Sequence, residues 1–286
     1  MKIAYLGPGK TYTEKVSKEL FGNSSDAEFI ALGHIKQVIS AVEDGTAEFG
    51  VIPIENYQNG KVIHTLDALI KQSNKAKIII EKTIVINHCI GALQEHKEIK
   101  NIFSKDQALE QCDIYLTDKY PNAEPIAVSS TAEGVQRIVR EKLLDCAAIA
   151  SKEALISAGL EVLEENICPN NKTRFFVLSL NGTKPTGDDK TLIALHPPKK
   201  DESGVLYSCL SFFAMYKINL EDLLPRPDRK GAYYFFLELD GHEKDRFVKI
   251  TLENLKAYLD PENKFPDAVR VFGSYPNTHW KEKNDN

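Results

Sequence analysis

At 286 residues the chain is long enough for two domains of ordinary size, and 42% hydrophobic with 27% charged residues is a globular composition. A formal net charge of -5 offers no basis for binding nucleic acid or an anionic membrane surface. The longest apolar run, residues 78–86, is broken by Glu81 and Lys82 and falls short of the roughly 20 residues a membrane span needs.

In chain order, residues 2–6 read as a short apolar strand that ends in Gly7-Pro8-Gly9 rather than continuing into a signal peptide. Residues 10–20 follow as a helix, with Val16, Leu20 and Phe21 at helical spacing. A strand, a glycine turn and a helix N-terminus can hold an anion on free backbone N–H groups, with Thr11 adding a hydroxyl. A plain β–α turn is the competing reading, since neither a dinucleotide fingerprint nor a P-loop is present. A strand at 29–32, a helix at 34–43 and a strand at 48–54 come next. The last runs into Glu55-Asn56-Tyr57-Gln58-Asn59-Gly60, a polar turn of the kind that forms sites at strand ends.

Residues 65–72 read as a helix, 77–90 as one long strand crossing between lobes, and 99–103 as a strand ending at Ser104. Residues 106–119 read as a single helix with Gln107 and Gln111 on one face. A strand at 125–128, a helix capped by Ser130 or Thr131, a strand at 147–150 and a helix capped by Ser151 lead to a polar turn and a strand at 175–178. Alternating strands and helices over 1–180 predict an α/β fold with mostly parallel sheets. Residues 180–189 read as a linker. Beyond it lie a strand (191–196), a helix (204–216), a strand (218–224), a turn (225–231), a strand (232–239), a helix (244–259) and a strand (268–272). That βαββαβ order is ferredoxin-like. The tail, 281–286, is polar and expected to fray.

The five cysteines, Cys89, Cys112, Cys146, Cys168 and Cys209, form no C-x-x-C and sit among apolar neighbours, as buried reduced thiols of a cytoplasmic protein would. His88 beside Cys89 is the nearest approach to a metal pair, and adjacent strand residues face opposite ways, so no metal site is expected. The stretch with most chemical content is Asn171-Lys172-Thr173-Arg174-Phe175, where a polar turn enters an apolar strand. Thr173 could give or take a proton there, and Arg174 could grip a carboxylate. An ordinary turn with Arg174 on the surface is the alternative.

The motifs G-P-G-K-T-Y-T (7–13), G-V-I-P-I-E-N-Y-Q-N-G-K-V (50–62), S-K-D-Q-A-L-E-Q-C (104–112), S-S-T-A-E (129–133) and N-K-T-R-F (171–175) together resemble the prephenate dehydratases. G-V-L-Y (204–207), I-N-L (218–220), R-P (226–227), D-G-H (240–242) and G-S-Y-P (273–276) resemble the ACT domain attached to that enzyme. The resemblance covers nearly the whole chain. It implies a catalytic domain over 1–182, built of two α/β lobes like a periplasmic binding protein, and a ferredoxin-like ACT domain over 190–280. It also implies a cytoplasmic homodimer or homotetramer that dehydrates and decarboxylates prephenate without metal or organic cofactor.

By the same resemblance Thr173 and Arg174 are the catalytic pair, with Arg174 either orienting a carboxylate or pointing away along its strand. Thr11, Glu55, Asn56, Ser104, Gln111, Ser130, Thr131 and Phe175 would line the substrate cleft. Gly204, Val205, Leu206, Tyr207, Asn219, Leu220, Arg226 and Pro227 would hold a phenylalanine effector. Several positions depart from the family pattern: Gly9, Lys10, Tyr57, Asn59, Lys61 and Lys105 on cleft loops, and Leu224-Pro225 where the effector motif has Glu-Ser. An arogenate dehydratase or related prephenate-processing enzyme is the nearest alternative, and a non-catalytic amino-acid sensor the alternative of another class. Retention of the Thr-Arg-Phe turn favours an enzyme.

Overall fold

The computed structural model describes residues 1–197, 203–228 and 231–278. Its first lobe is laid down by β1 (Lys2–Leu6), α1 (Tyr12–Phe21), β2 (Glu28–Leu32), α2 (Ile35–Glu43), β3 (Phe49–Asn56), the two-residue β4 (Gly60–Lys61), α3 (Ile63–Gln72) and β5 (Lys77–Val85). The chain then crosses to a second lobe. This holds β6 (Cys89–Ala92), β7 (Asn101–Lys105), α4 (Asp106–Gln111), α5 (Asp113–Lys119), β8 (Glu124–Val128), α6 (Thr131–Glu141), β9 (Cys146–Ala150), α7 (Lys152–Ser157) and β10 (Glu161–Glu164). It crosses back to insert β11 (Lys172–Ser179) between β3 and β5. The two crossings hold each other: the Ile86 N–H donates to the Asn171 carbonyl at 2.8 Å, and the Ile167 N–H to the His88 carbonyl at 2.9 Å.

The sheet orders are β2-β1-β3-β11-β5 and β10-β6-β9-β7-β8. Both are mixed, which corrects the expectation of mostly parallel sheets. β1 runs parallel to β2 and β3, but the returning β11 is antiparallel to both neighbours, and β6 is antiparallel to β9 and β10. Strands that carry the chain between lobes have to enter each sheet against its grain. The long strand expected over 77–90 breaks at 86–88, where the crossing needs backbone partners outside either sheet. The single helix expected over 106–119 is two, hinged at Cys112. Side-chain caps begin α1, α6 and α7 as their sequences suggest: Thr11, Ser130 and Ser151 each accept from the backbone N–H three residues on. Each lobe has its own core, Ile3, Tyr5, Val16, Phe175 and Val177 in the first and Ile90, Ile102, Leu109 and Ile149 in the second.

The C-terminal domain comprises β12 (Asp189–Leu195), α8 (Val205–Met215), β13 (Leu220–Pro227), β14 (Tyr233–Asp240), α9 (Arg246–Leu259) and β15 (Val269–Pro276), in the sheet order β13-β14-β12-β15. Strand alternation divides its burden. Ile193, Leu195, Leu237 and Leu239 pack under the two helices, while Leu192, Ala194, Phe236 and Phe272 pack against Ile52, Leu66 and Ile78 of the first lobe. The sheet's open face is therefore covered by the first lobe of the same chain. Residues 225–227, expected in a turn, extend β13 instead; β13 is an edge strand, where Pro225 and Pro227 forfeit no ladder bond that a neighbour needs. The expected tail, 281–286, and part of the expected 225–231 turn lie outside the described residues.

The halves approach closely at Gly273, whose φ is +145°; a Cβ there would lie 2.3 Å from the Ile78 carbonyl oxygen on β5. Gly273→Ala is expected to cost about 3 kcal/mol through clash and backbone strain, read as a lowered urea midpoint. An unchanged midpoint would mean that the two halves are not packed backbone to backbone.

Candidate active site

Two neighbouring cross-strand pairs on β3 and β11 organise the site. Thr173 stands opposite Asn56, and Arg174 opposite Glu55. Because successive strand residues face opposite ways, one pair looks into the junction of the two lobes and the other toward the C-terminal domain.

On the junction side, the Asn56 side chain is 4% exposed and fully engaged. Its Oδ1 accepts the backbone N–H groups of Gln58 and Asn59, both at 3.1 Å. Its Nδ2 donates to the Lys172 carbonyl at 3.2 Å, to Asn171 Oδ1 at 2.8 Å and to Thr173 Oγ1 at 2.9 Å. The backbone partners settle which end of the amide is which, so Thr173 must accept from Asn56. Its own hydroxyl proton meets no acceptor among the described residues. A hydroxyl whose oxygen already accepts an N–H is a stronger donor, because chained hydrogen bonds polarise one another. From the second lobe, Gln111 Nε2 donates to Asn56 Oδ1 at 3.0 Å and also to Asn59 Oδ1, while Gln111 Oε1 accepts from Asn171 Nδ2 at 2.9 Å. The circuit thus ties Thr173 in one lobe to α4 in the other.

Asn56→Asp replaces the donor with a second acceptor and turns the Thr173 proton away from the junction. A loss of about 10²-fold in kcat is expected, with KM changed far less, measured by steady-state kinetics. Wild-type kcat would remove this hydrogen bond from the chemistry.

Beside the circuit, a groove of about 610 Å³ runs between the α1 and α7 ends, lined by Lys10, Thr11, Tyr12, Ser151, Glu153 and Ser157 among others. The Tyr12 hydroxyl donates to the Asn87 carbonyl at 2.8 Å, and its ring stands edge-on to His88 with centroids 6.3 Å apart. Lys10 reaches Ser157 across the groove at 3.3 Å.

On the opposite face, Arg174 is fully buried in an ion network. Its Nε donates to Glu81 at 2.6 Å and its Nη1 to Glu238 of β14 at 2.9 Å; Nη2 contacts Glu238 as well, and Glu55 lies 3.6 Å away. The Tyr275 hydroxyl donates to Glu238 at 2.7 Å, and Thr278 caps Glu81 through its N–H and hydroxyl, both at 2.7 Å. Lys61 bridges Glu55 and Asp222, at 2.7 Å each. Burial alone would raise the Glu238 carboxyl, but Arg174 and Lys61 more than offset it and hold it at about 2. Burial likewise opposes the charge on Lys61, and Glu238 and Glu55 reverse that, leaving it raised.

The expected site residues therefore divide. Thr173, Asn56 and Gln111 meet at the junction, and Thr11 lines the groove beside it. Arg174 and Glu55 do not; they join the two-lobed half to the C-terminal domain, so Arg174 takes the alternative of pointing away from the junction, and the expected cleft-lining role of Glu55 is corrected. Ser104 is fully buried, its hydroxyl donating to the Ile149 carbonyl at 2.7 Å, and Phe175 is core, 2% exposed among Ile3, Tyr5 and Val177. Neither is free to line a cleft. Ser130 spends its hydroxyl on capping α6, with Thr131 as the first helical residue. Arg226 pairs with Asp67 of α3 through both carboxylate oxygens at 3.0 Å, across the interdomain seam. Lys61, one of the departures, is a half-buried ion-pair partner rather than a solvated charge. The residues to which the sequence assigns no role in the site are Asn171, His88 and Asn59. For the two amides the signal is the amide density of Glu55–Gly60 and Asn170-Asn171, which is visible only once both runs are known to face one junction.

A cross-lobe hydroxyl–amide circuit set where two α/β lobes are joined, with a ferredoxin-like domain docked on the reverse of the same sheet, defines a two-lobed α/β class carrying an appended domain. A family model for prephenate dehydratase matches residues 3–183. A bifunctional chorismate mutase/prephenate dehydratase of Aquifex aeolicus is 34% identical over 288 residues, 99% of this chain and 75% of that protein. The prephenate dehydratase of Lactococcus lactis subsp. cremoris is 32% identical, over 96% of this chain and 97% of its own. A solved prephenate dehydratase from Arthrobacter aurescens, in complex with L-Phe, superposes with a TM-score of 0.84 at 31% identity, covering 97% of this chain and 90% of that one. The chain belongs to the prephenate dehydratase family.

Proposed function

We propose that this chain converts prephenate to phenylpyruvate, carbon dioxide and water, as its relatives' names imply for them. The observation that carries the reading is Thr173: its oxygen accepts from Asn56 and its proton is left to donate. In the reaction the bond from the ring carbon to its carboxylate breaks and releases carbon dioxide. That electron pair enters the ring, and the ring hydroxyl leaves with the Thr173 proton as water. Solvent then returns a proton to Thr173, so one proton is consumed overall and the dianion becomes the phenylpyruvate monoanion. Aromatisation supplies the driving force. The protein has to hold the dianion and supply one donor at the departing oxygen.

With Arg174 committed elsewhere, the anionic end of prephenate falls to the groove, where the Lys10 ammonium offers positive charge beside Thr11; the Lys10 N–H and the Thr11 hydroxyl are themselves engaged with Glu14 and the Leu6 carbonyl. Ser130 and Thr131 at the α6 N-terminus are second candidates. A comparison of kcat/KM for prephenate and arogenate tests substrate identity: prephenate is expected to be preferred, and preference for arogenate would reassign the enzyme.

The C-terminal domain is read as an ACT domain with phenylalanine as its effector, supported by the L-Phe complex of the Arthrobacter aurescens relative. Gly204 caps one end of the 11-residue α8 and Asn219 follows the other. They are separated by about 16 Å of helix, so a ligand touching both motifs needs two copies of the chain. This supports a homodimer or a homotetramer built from it. Leu224, standing where the family motif has Glu, packs into the interdomain core instead of offering a ligand group. Phenylalanine is accordingly expected to inhibit turnover only weakly, and strong inhibition would show that this substitution is not disabling.

A further inference from the structure

His88 lies in the first crossing between the lobes and is 5% exposed. Its Nε2 is 2.9 Å from Gln111 Oε1, and its Nδ1 is buried with no hydrogen-bond partner among the described residues. The sense of the amide circuit decides what this contact is. Backbone N–H groups fix Asn56 Oδ1 as acceptor, so Asn56 Nδ2 meets Asn171 Oδ1 and Asn171 Nδ2 meets Gln111 Oε1. Gln111 Oε1 can then only accept, and His88 can only donate. His88 is therefore the neutral imidazole with its proton on Nε2. A second proton on Nδ1 would be buried without an acceptor, and burial accordingly depresses the ring's affinity for it against the opposing pull of Gln111.

We propose that His88 is a positioning residue for the reaction: its Nε2–H holds Gln111 Oε1 in place, which aims Gln111 Nε2 at Asn56 and, through Asn56, keeps the Thr173 proton turned toward the lobe junction. The proposal deepens the dehydratase reading and rests on it for its kinetic part.

Two measurements test this. The first needs no turnover: with 15N-histidine labelling of the full chain, the His88 signal, assigned by its loss in His88→Gln, is expected to show the neutral Nε2–H tautomer at pH 7. The Nδ1–H tautomer or an imidazolium there overturns the proposal. The second is kinetic. His88→Phe keeps a flat ring against Tyr12 without a donor and is expected to lower kcat about tenfold with KM little changed, while His88→Gln, whose amide N–H can reach Gln111, recovers most of it. Wild-type kcat in His88→Phe, or a folded His88→Gln no better than His88→Phe, overturns it. Absence of prephenate turnover by the wild-type protein would fall on the dehydratase reading instead, and the tautomer would still decide the hydrogen-bond relay.

Discussion

Thr173→Val is expected to lower kcat for prephenate by about 10² to 10⁴-fold, the range for losing a positioned proton donor. Valine keeps the shape and removes the hydroxyl. Asn56 Nδ2 then loses one of three acceptors but retains Asn171 Oδ1 and the Lys172 carbonyl, so the fold should survive. KM should move much less than kcat, because the donor acts on the departing oxygen and contributes little to holding the ground state. Thr173→Ser restores a hydroxyl on the same carbon and should recover part of the rate. Equal turnover by Thr173→Val and wild type would remove Thr173 from the mechanism. An equal fall for Thr173→Val and Thr173→Ser would mean that a hydroxyl alone is not enough and that the β-branched methyl group is needed to hold its rotamer.

Arg174→Met is expected to cost about 3–5 kcal/mol of stability at pH 7, since it strands Glu81 in the interdomain seam and leaves Glu238 only Lys61, 3.9 Å away. The pH dependence separates this from a simple packing loss. In the wild-type protein the Glu238 carboxyl is depressed from its ordinary 4.5 to about 2. A depressed carboxyl stabilises the fold above its unfolded value and loses that contribution as pH falls from about 4.5 toward 2. In Arg174→Met the sign reverses: burial without Arg174 favours the protonated acid, so stability relative to wild type should recover as pH is lowered from 7 to 5. Urea midpoints at the two pH values measure it. A deficit that is the same at both would indicate lost packing over Phe176, whose ring Arg174 covers at 5.0 Å, rather than uncompensated charge.

Much of the architecture was legible along the chain. The strand–helix alternation of the lobes and the βαββαβ order of the last domain follow from local periodicity. Thr173 stood out because a polar turn entering an apolar strand is a local event. What was illegible was nonlocal. Thr173 and Arg174 are neighbours in sequence, yet pleating sends them to opposite faces. Which face meets substrate depends on Glu81 and Glu238, which are 93 and 64 residues from Arg174. The Glu55-Asn56 pair divides in the same way for the same reason. Strand directions failed as a prediction because β11 is sequence-distant from both neighbours, and its antiparallel insertion follows from the second crossing. His88 reads in sequence only as a poor metal ligand, since Gln111, its hydrogen-bond partner, reaches it only in the folded chain. Lys61 illustrates the converse: a departure on a loop beside a glycine turn, it pairs in the folded chain with Asp222 of the docked domain.

The central claim is that a hydroxyl aimed by a cross-lobe amide circuit drives the loss of water from prephenate. The most direct test incubates the purified chain with prephenate near neutral pH and follows phenylpyruvate and carbon dioxide together. Release of the two in equal amounts, at a rate far above the uncatalysed reaction, is the predicted result; no phenylpyruvate from a folded protein would contradict it.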